Sequence, residues 1–297
     1  MNDLPTTELV NPNTEGMDRM STLEMLTRIN DEDATVSLAV RSQLPRIAEA
    51  VDGIAERLKR GGRLIYIGAG TSGRLGVLDA SECLPTFGVS PEMVFGIIAG
   101  GARALTRAVE GAEDDGPAGA SAMDEAGVGP GDTVVGLSAS GGAPYVRAAM
   151  VRARELGALT VGVSTAARAK LSGDVDIPIE AVVGAEVLTG STRMKSGTAQ
   201  KLICNLLSTG AMVKIGKTYG NRMVDVLATN KKLVDRATRL IQDVGQVDRE
   251  TAERLLVESG GVAKVGIVMA RLGIGSDDAR ALLEETGGYL AAAIDAP

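Results

Sequence analysis

Five short apolar runs alternate with helical stretches, and this alternation constrains the fold of the chain more than any other feature. Each run is bounded by glycine, proline or a Ser/Thr cluster, as is typical of buried strands. The runs are Leu64–Ile67, Met93–Ala99, Thr133–Leu137, Thr160–Ser164 and Val175–Ile179, and helical patterns at 73–84, 102–127 and 144–156 separate the first four. The pattern predicts a doubly wound α/β fold with a five-stranded parallel sheet and right-handed crossovers.

Helical patterns also precede and follow the predicted strands. Ser21 to Glu24 has the form of a capping box, and apolar residues recur at helical spacing between Val40 and Arg60. Downstream, helices are predicted at 191–214, 222–244, 249–259, 262–272 and 276–294, the last one interrupted by Gly287–Gly288. We therefore expect a large α/β domain with an N-terminal helical segment over 1–244 and a small three-helix domain over 245–297.

Composition excludes several classes of function. The net charge of −7 argues against a nucleic-acid partner, because an acidic protein repels phosphate backbones. Histidine is absent, so Ser-His-Asp, Cys-His and histidine–metal sites are excluded. Cys83 and Cys204 have no disulfide or metal spacing and are interpreted as core thiols. We expect neither a metal nor a redox cofactor.

The sequence has no apolar stretch of the roughly 18 residues that a membrane span requires. The segment MNDLPTTELVNP lacks a basic region followed by an apolar run, so no signal peptide is expected. These two observations predict a cytoplasmic protein with no membrane partner.

A glycine-rich loop follows the first predicted strand. Gly68 to Gly73 matches G-x-G-x-x-G, but Ala99 and the glycines after the second strand stand where a dinucleotide site needs a carboxylate, which disfavours NAD. The glycines still allow an anion to approach a helix N-terminus, and Thr71 and Ser72 add hydroxyl donors. Taken alone, the loop is equally compatible with a tight turn that only caps the helix.

A second loop of the same kind, Ser138-Ala139-Ser140-Gly141-Gly142-Ala143-Pro144, follows the third strand. In a flavodoxin-like strand order the loops after strands one and three flank the point where ligands bind. Two hydroxyl-rich loops at these positions predict a shared ligand, and uncharged donors suit a monophosphate. Neither loop has the Gly-Lys-Ser/Thr sequence of a nucleotide triphosphatase.

Two carboxylates are candidates for proton transfer. Glu82 stands among apolar residues, which would raise its pKa into the range useful to an acid or base. Glu113 is the second candidate, although spacing alone does not distinguish it from Glu110, Asp114 or Asp115.

A further polar run, Glu186 to Thr198, opens the long predicted helix at 191–214. It is equally compatible with a helix cap and with a group that brings Glu186 and the helix N-terminus to a ligand. Arg193 and Lys195 either pair with an anion or solvate the first turn.

These motifs resemble those of the N-acetylmuramic acid 6-phosphate etherases, within the broader sugar-isomerase (SIS) domain proteins that bind phosphosugars. The resemblance rests on GAGTSGRLGVLDASECLPTFG, VEGAEDD, SASG, GAEVLTGSTRMKSGTAQK and NPNTEGMDRMST, and covers nearly the whole chain. It implies a lyase that cleaves the lactyl ether at C3 and gives N-acetylglucosamine 6-phosphate and D-lactate, during recycling of cell-wall sugars.

The resemblance also implies roles for individual residues. Glu82 corresponds to the acid that protonates the departing lactate oxygen and then activates water, and Glu113 to the base that removes the C2 proton. The positions that hold the sugar phosphate are matched by Thr71, Ser72, Ser138, Ser140 and Gly141. Glu186 aligns with a glutamate of the sugar site, and the resemblance implies a homodimer.

One departure concerns the second loop. The family usually has Arg-Thr-Pro where this chain has Gly142-Ala143-Pro144, which removes a charge and a hydroxyl expected near phosphate. Two alternatives stay open: a non-catalytic phosphosugar sensor, like the regulatory proteins of sugar kinases, and an aldose–ketose phosphosugar isomerase. Retention of Glu82 and Glu113 argues against the sensor, and the Gly142-Ala143 change favours it.

Overall fold

The computed structural model describes residues 6–225 and 231–295. The chain divides into two compact units, Met1–Ser81 with Glu92–Ser208 and Glu82–Pro91 with Thr209–Pro297. The first unit contains a five-stranded parallel sheet whose order, β2-β1-β3-β4-β5, is the predicted flavodoxin-like order. Its strands are β1 (Leu64–Gly68), β2 (Val94–Ile98), β3 (Thr133–Leu137), β4 (Leu159–Ser164) and β5 (Ile177–Glu180).

Helices cover this sheet because its strands are apolar on both faces. They are α3 (Leu44–Lys59), α4 (Gly70–Phe87), α5 (Gly116–Glu125), α6 (Pro144–Glu155) and α7 (Lys195–Lys214). Two helices precede them in the chain, α1 (Thr22–Ala34) and α2 (Val36–Ser42). On one face, Ile65 and Ile67 of β1 join Val146 and Met150 of α6 in a buried core. Tyr66 points to the other face and packs on α4, where a Cβ at Gly76 would lie 2.8 Å from the Tyr66 Cβ. The predicted capping box is present at the start of α1.

The predicted helix at 102–127 is wrong over most of its length. Only α5 is α-helical there, and 3₁₀ turns occupy Ala102–Leu105 and Ala112–Asp114. The cause is local, because Gly101 and Gly111 have positive φ, and Asp115 starts α5 by accepting a hydrogen bond from the Ala118 amide. The region next to the sheet is therefore an irregular loop that carries the Glu113 segment.

The second unit is mainly helical. It contains β6 (Thr218–Tyr219), β7 (Arg222–Met223), α8 (Lys231–Gly245), α9 (Arg249–Glu258), α10 (Ala263–Leu272), α11 (Ser276–Glu285) and α12 (Leu290–Ile294). The predicted helix at 222–244 begins instead with a strand, and its residues 226–230 lie outside the described part of the chain.

The C-terminal region differs from the prediction in its number of helices and in its extent. Residues 246–295 contain four helices rather than three, because Gly287 and Gly288, with φ of 63° and 81°, separate α11 from α12. Ile241 of α8 is buried in the same core as Ile267 of α10, so the unit begins before residue 245. Across residues 6–225 and 231–295, none of the helices combines the length and the apolar character needed to cross a bilayer.

Candidate active site

A cavity of about 440 Å³ lies at the carboxyl ends of β1 and β3. The two strands are neighbours in the sheet, with Gly68 paired to Leu137. The two hydroxyl-rich loops that follow them therefore lie side by side, as the predicted strand order requires. The lining residues are Thr7, Glu8, Ala69, Gly70, Thr71, Ser72, Glu113, Asp114, Leu137, Ser138, Ala139, Ser140, Gly142, Ala143, Pro144, Gly190 and Thr192.

The first loop turns directly from β1 into α4. A Cβ on Gly68 would lie 2.6 Å from the Gly73 nitrogen, and a Cβ on Gly73 would lie 2.6 Å from the Gly68 oxygen, so the turn requires both glycines. Thr71 and Ser72 form the first turn of α4, whose leading N–H groups have no partner within the helix. The start of α4 therefore presents backbone donors and two hydroxyls to one cavity.

The second loop is a tight turn into α6. Gly141 has a φ of +67°, and a Cβ there would lie 2.4 Å from the Ala169 Cβ. Ser140 Oγ accepts a hydrogen bond of 3.2 Å from the Gly142 amide, which holds the turn. Ser138 and Ser140 line the cavity, whereas Gly141, a predicted binding residue, is not among the lining residues and instead shapes the turn.

Sequence spacing left four neighbouring residues, Glu110, Glu113, Asp114 and Asp115, as candidates for one catalytic carboxylate. Two of them line the cavity. Glu113 and Asp114 line it from the 3₁₀ turn Ala112–Asp114. Glu110 is absent from the lining, and Asp115 is occupied as the cap of α5. The tertiary structure thus reduces four candidates to two, without separating Glu113 from Asp114.

Glu82 is not among the residues that line this cavity. It lies on α4 about three helical turns after Ser72, and its side chain is exposed. The prediction that apolar residues surround Glu82 is wrong for the single chain, because Leu78 and Leu84 are themselves 53% and 42% exposed. The reason is that apolar neighbours along a helix are distributed around its circumference and do not enclose one side chain.

The N-terminal segment contributes lining residues that the sequence analysis missed. Thr7 is fully buried, Glu8 is exposed, and both reach the cavity from the 3₁₀ turn Thr6–Glu8. The Thr7 carbonyl accepts a 3.2 Å hydrogen bond from the Gly190 amide, which joins this turn to the loop before α7. The matching run NPNTEGMDRMST was the available signal, but it gave no indication that residues before it enter the site.

A buried ionic network holds that segment in place. The Glu32 carboxylate accepts hydrogen bonds from Asn11 at 2.8 Å, from Asn13 at 2.7 Å and from the Lys195 ammonium at 2.6 Å. Burial alone would raise the pKa of Glu32, but the bonds from Lys195, Asn13 and Asn11 outweigh it and lower the pKa below its usual value. Lys195 is therefore engaged by Glu32 and neither solvates the first turn of α7 nor binds a ligand.

Glu186 has a structural position inside the first unit. It is fully buried, and its two carboxylate oxygens accept 2.9 Å hydrogen bonds from the Lys195 and Ser196 amides. It is not among the lining residues, so of the two interpretations of this motif the geometry favours the helix cap. The N-terminus of α7 is thereby compensated, whereas the N-termini of α4 and α6 face the cavity.

The donors available to an anion are uncharged. No basic side chain is present among the described lining residues, which include six hydroxyls and the carboxylates of Glu8, Glu113 and Asp114. Nor do residues 6–225 and 231–295 bring together three side chains able to hold a metal ion. Both cysteines are buried, and burial, with a smaller effect from the charge of Asp79, raises the pKa of the Cys204 thiol well above its usual value.

Comparison with solved structures identifies the fold. A putative phosphosugar isomerase from Bacteroides fragilis is 20% identical and superposes with a TM-score of 0.50 over 65% of this chain and 91% of its own. Residues 46–154 match the glucokinase regulatory protein N-terminal SIS domain, and residues 220–261 match the C-terminal lid domain of glucokinase regulatory protein. The first unit thus has the SIS fold expected from its motifs.

Full-length relatives decide the family. An N-acetylmuramic acid 6-phosphate etherase from Serratia proteamaculans is 54% identical over 97% of this chain and 97% of its own length. Those from Pasteurella multocida and Yersinia pestis are 51% and 55% identical over 96% of this chain and 94% and 96% of their own lengths. The chain belongs to the N-acetylmuramic acid 6-phosphate etherase family. This membership confirms the etherase resemblance. Gly142 and Ala143, where the resemblance leads one to expect arginine and threonine, both line the cavity.

Proposed function

We propose that this etherase-family chain is a carbon–oxygen lyase that cleaves the D-lactyl ether of N-acetylmuramic acid 6-phosphate. The products are N-acetylglucosamine 6-phosphate and D-lactate, and the reaction serves the recycling of cell-wall amino sugars. The observation that carries this proposal is the hydroxyl-lined cavity at the ends of β1 and β3, with Glu113 at its wall.

The cavity suits a phosphate monoester. Hydroxyls of Thr71, Ser138 and Ser140 and the leading amides of α4 are donors for its oxygens, and Ser72 places a fourth hydroxyl at the same wall. The N-terminal ends of α4 and α6 favour negative charge. Because the fold holds these donors in place before the ligand binds, less free energy is lost in ordering them around a dianion, even though the protein is acidic.

Elimination followed by addition uses two carboxylates. In the open-chain sugar the aldehyde acidifies the C2 proton, which Glu113 removes while the C2=C3 bond forms and the C3–O bond breaks. Glu82 protonates the departing lactate oxygen. Water then adds its oxygen to C3 as Glu82 takes its proton, and Glu113 returns a proton to C2. Each proton transfer contributes on the order of 10²–10⁴ in rate.

The exposed position of Glu82 is consistent with a homodimer whose interface covers this part of α4. We expect a cytoplasmic homodimer, as the family resemblance implies, and exposed Leu78 one turn before Glu82 on α4 supplies apolar surface for an interface. Covering that surface would place Glu82 in the apolar environment that a catalytic acid requires.

The test is release of D-lactate from N-acetylmuramic acid 6-phosphate by the purified protein in water enriched in ¹⁸O. The expected result is one ¹⁸O atom at C3 of the product, and loss of turnover in Glu82→Gln and Glu113→Gln variants that still bind product. Absence of lactate from wild-type protein that demonstrably binds the substrate would contradict the proposal.

The second candidate, a phosphosugar sensor, is favoured by one observation: Gly142 and Ala143 line the cavity. At these positions the family resemblance leads one to expect arginine and threonine. A sensor binds phosphosugar without releasing lactate, and Glu82→Gln leaves its output unchanged. An aldose–ketose isomerase would instead yield a ketose phosphate with the lactyl group retained.

A further inference from the structure

In a glutamine behind the cavity, one of the two side-chain amide atoms has a hydrogen-bond partner and the other has none. Gln200 lies on α7, fully buried, and its Oε1 accepts a 2.9 Å hydrogen bond from the Ser72 hydroxyl. Its Nε2 is buried and has no hydrogen-bond partner among the described residues. A buried amide donor without an acceptor is costly and is therefore rare in folded proteins.

The hydrogen bond also limits what Ser72 can offer to a ligand. A serine hydroxyl has one proton, and here that proton is donated to Gln200, away from the cavity that Ser72 lines. In this arrangement Ser72 presents only lone pairs to the cavity. Phosphate oxygens accept hydrogen bonds, so a phosphate requires the opposite direction.

We propose that Gln200 is a positioning residue that sets the donor direction of Ser72 when a phosphate monoester binds. Half a turn of the amide puts Nε2 in the place of Oε1, so that Nε2 donates to Ser72 Oγ and Ser72 donates to the phosphate. The inference rests on the proposed function, because it requires a phosphate in this cavity.

This rearrangement gives two donors a better acceptor, while Oε1 loses its bond from Ser72. A buried carbonyl oxygen without a partner is less unusual than a buried N–H without one. The unpartnered amide donor gains an acceptor, and the Ser72 proton gains a charged one, in a chain whose members polarise each other. A neutral sugar hydroxyl, in contrast, can donate to Ser72 with the amide as it stands. Gln200 is thus tied to recognition of the phosphate rather than of the sugar ring.

The test is the affinity of Gln200→Glu for N-acetylglucosamine 6-phosphate, measured by calorimetry from pH 5 to pH 8. A neutral carboxyl can donate to Ser72 as the amide does, whereas an ionised one only accepts and retains the Ser72 proton. Burial raises the pKa of the introduced carboxyl into this range. We expect the ratio of wild-type to variant affinity to be near one at acidic pH and to reach about tenfold or more at pH 8.

Gln242→Glu on α8 makes the same chemical change elsewhere and is expected to bind like wild type at every pH. A ratio that does not change with pH, or wild-type affinity throughout, overturns the inference alone. Because the ionised carboxylate of Gln200→Glu also repels the phosphate directly, a double-mutant cycle of Gln200 with Ser72 decides whether the effect passes through Ser72. Failure of the wild-type protein to bind the phosphosugar overturns both the inference and the proposed function.

A second variant keeps the test decisive if Gln200→Glu does not fold. In Gln200→Met, combined with Ser72→Ala in a double-mutant cycle, we expect the two losses of affinity to be non-additive by about threefold or more. Additive losses would show that Gln200 does not act through Ser72.

Discussion

The ammonium nitrogen of Lys195 lies 2.6 Å from Oε2 of Glu32, and both residues are buried. Because Glu32 also binds Asn11 and Asn13, this pair anchors the N-terminal segment whose Thr7 and Glu8 line the cavity. Removing one partner leaves the other charge buried and uncompensated. We expect Glu32→Gln to lower the free energy of unfolding by about 3–5 kcal/mol at pH 7.

The same pair predicts a pH dependence. The pKa of Glu32 lies below its ordinary value of 4.5, so its contribution to stability is fully present above pH 4.5 and is lost as pH falls through the lowered pKa. Denaturant unfolding of wild type and Glu32→Gln, measured from pH 7 to pH 3.5, should show a difference that shrinks on acidification. A constant difference would be evidence against this account.

Glu113 and Asp114, two of the three carboxylates that line the cavity, are expected to differ in role. Glu113→Gln should lower kcat for lactate release by about 10²–10⁴ with little change in product affinity, because it removes the base at C2. Asp114→Asn, the matched change at the next residue, should lower kcat by less than about tenfold. Steady-state kinetics and product binding measure both, and the reverse ranking would assign the base to Asp114.

Adding a hydroxyl at position 143 in the second loop should strengthen phosphate binding. Ala143 is the N-cap of α6 and lines the cavity, so Ala143→Thr places a hydroxyl where it can donate to phosphate. We expect KM to fall roughly tenfold. Ala143→Val has the same shape without the hydroxyl and should leave KM unchanged or raise it; an equal fall in both variants would rule out a hydrogen bond.

Two neighbouring glycines should respond differently to alanine. At Gly141, with positive φ and an Ala169 Cβ only 2.4 Å from the added carbon, alanine should lower stability by about 1–3 kcal/mol. At Gly142 the nearest atom is Ser140 Oγ at 3.4 Å, so alanine should change stability by less than about 0.5 kcal/mol. Thermal unfolding compares them, and equal effects would mean that the Gly141 turn adjusts freely.

Local sequence patterns predicted the structure correctly in the strands and loops, where the residues of a short segment determine its conformation. The buried strands β1 and β3 are continuous apolar runs, and the loops after them are glycine- and serine-rich, so their place at one cavity followed from the sequence. The motifs also led to the etherase family. The prediction of a helix across 102–127 was wrong because it gave more weight to the spacing of apolar residues than to the glycines, which interrupt the helix.

The sequence was sufficient to predict the parallel sheet, the two hydroxyl-rich loops and the family. Three features became evident only from the folded chain: Glu186 caps a helix, Thr7 and Glu8 line the cavity, and Gln200 lies behind Ser72. Each of these facts depends on pairing with residues distant in the chain: Gln200 and Ser72, for example, are separated by 128 positions. Side-chain burial and hydrogen-bond direction at such pairs arise from packing, which local periodicity does not encode.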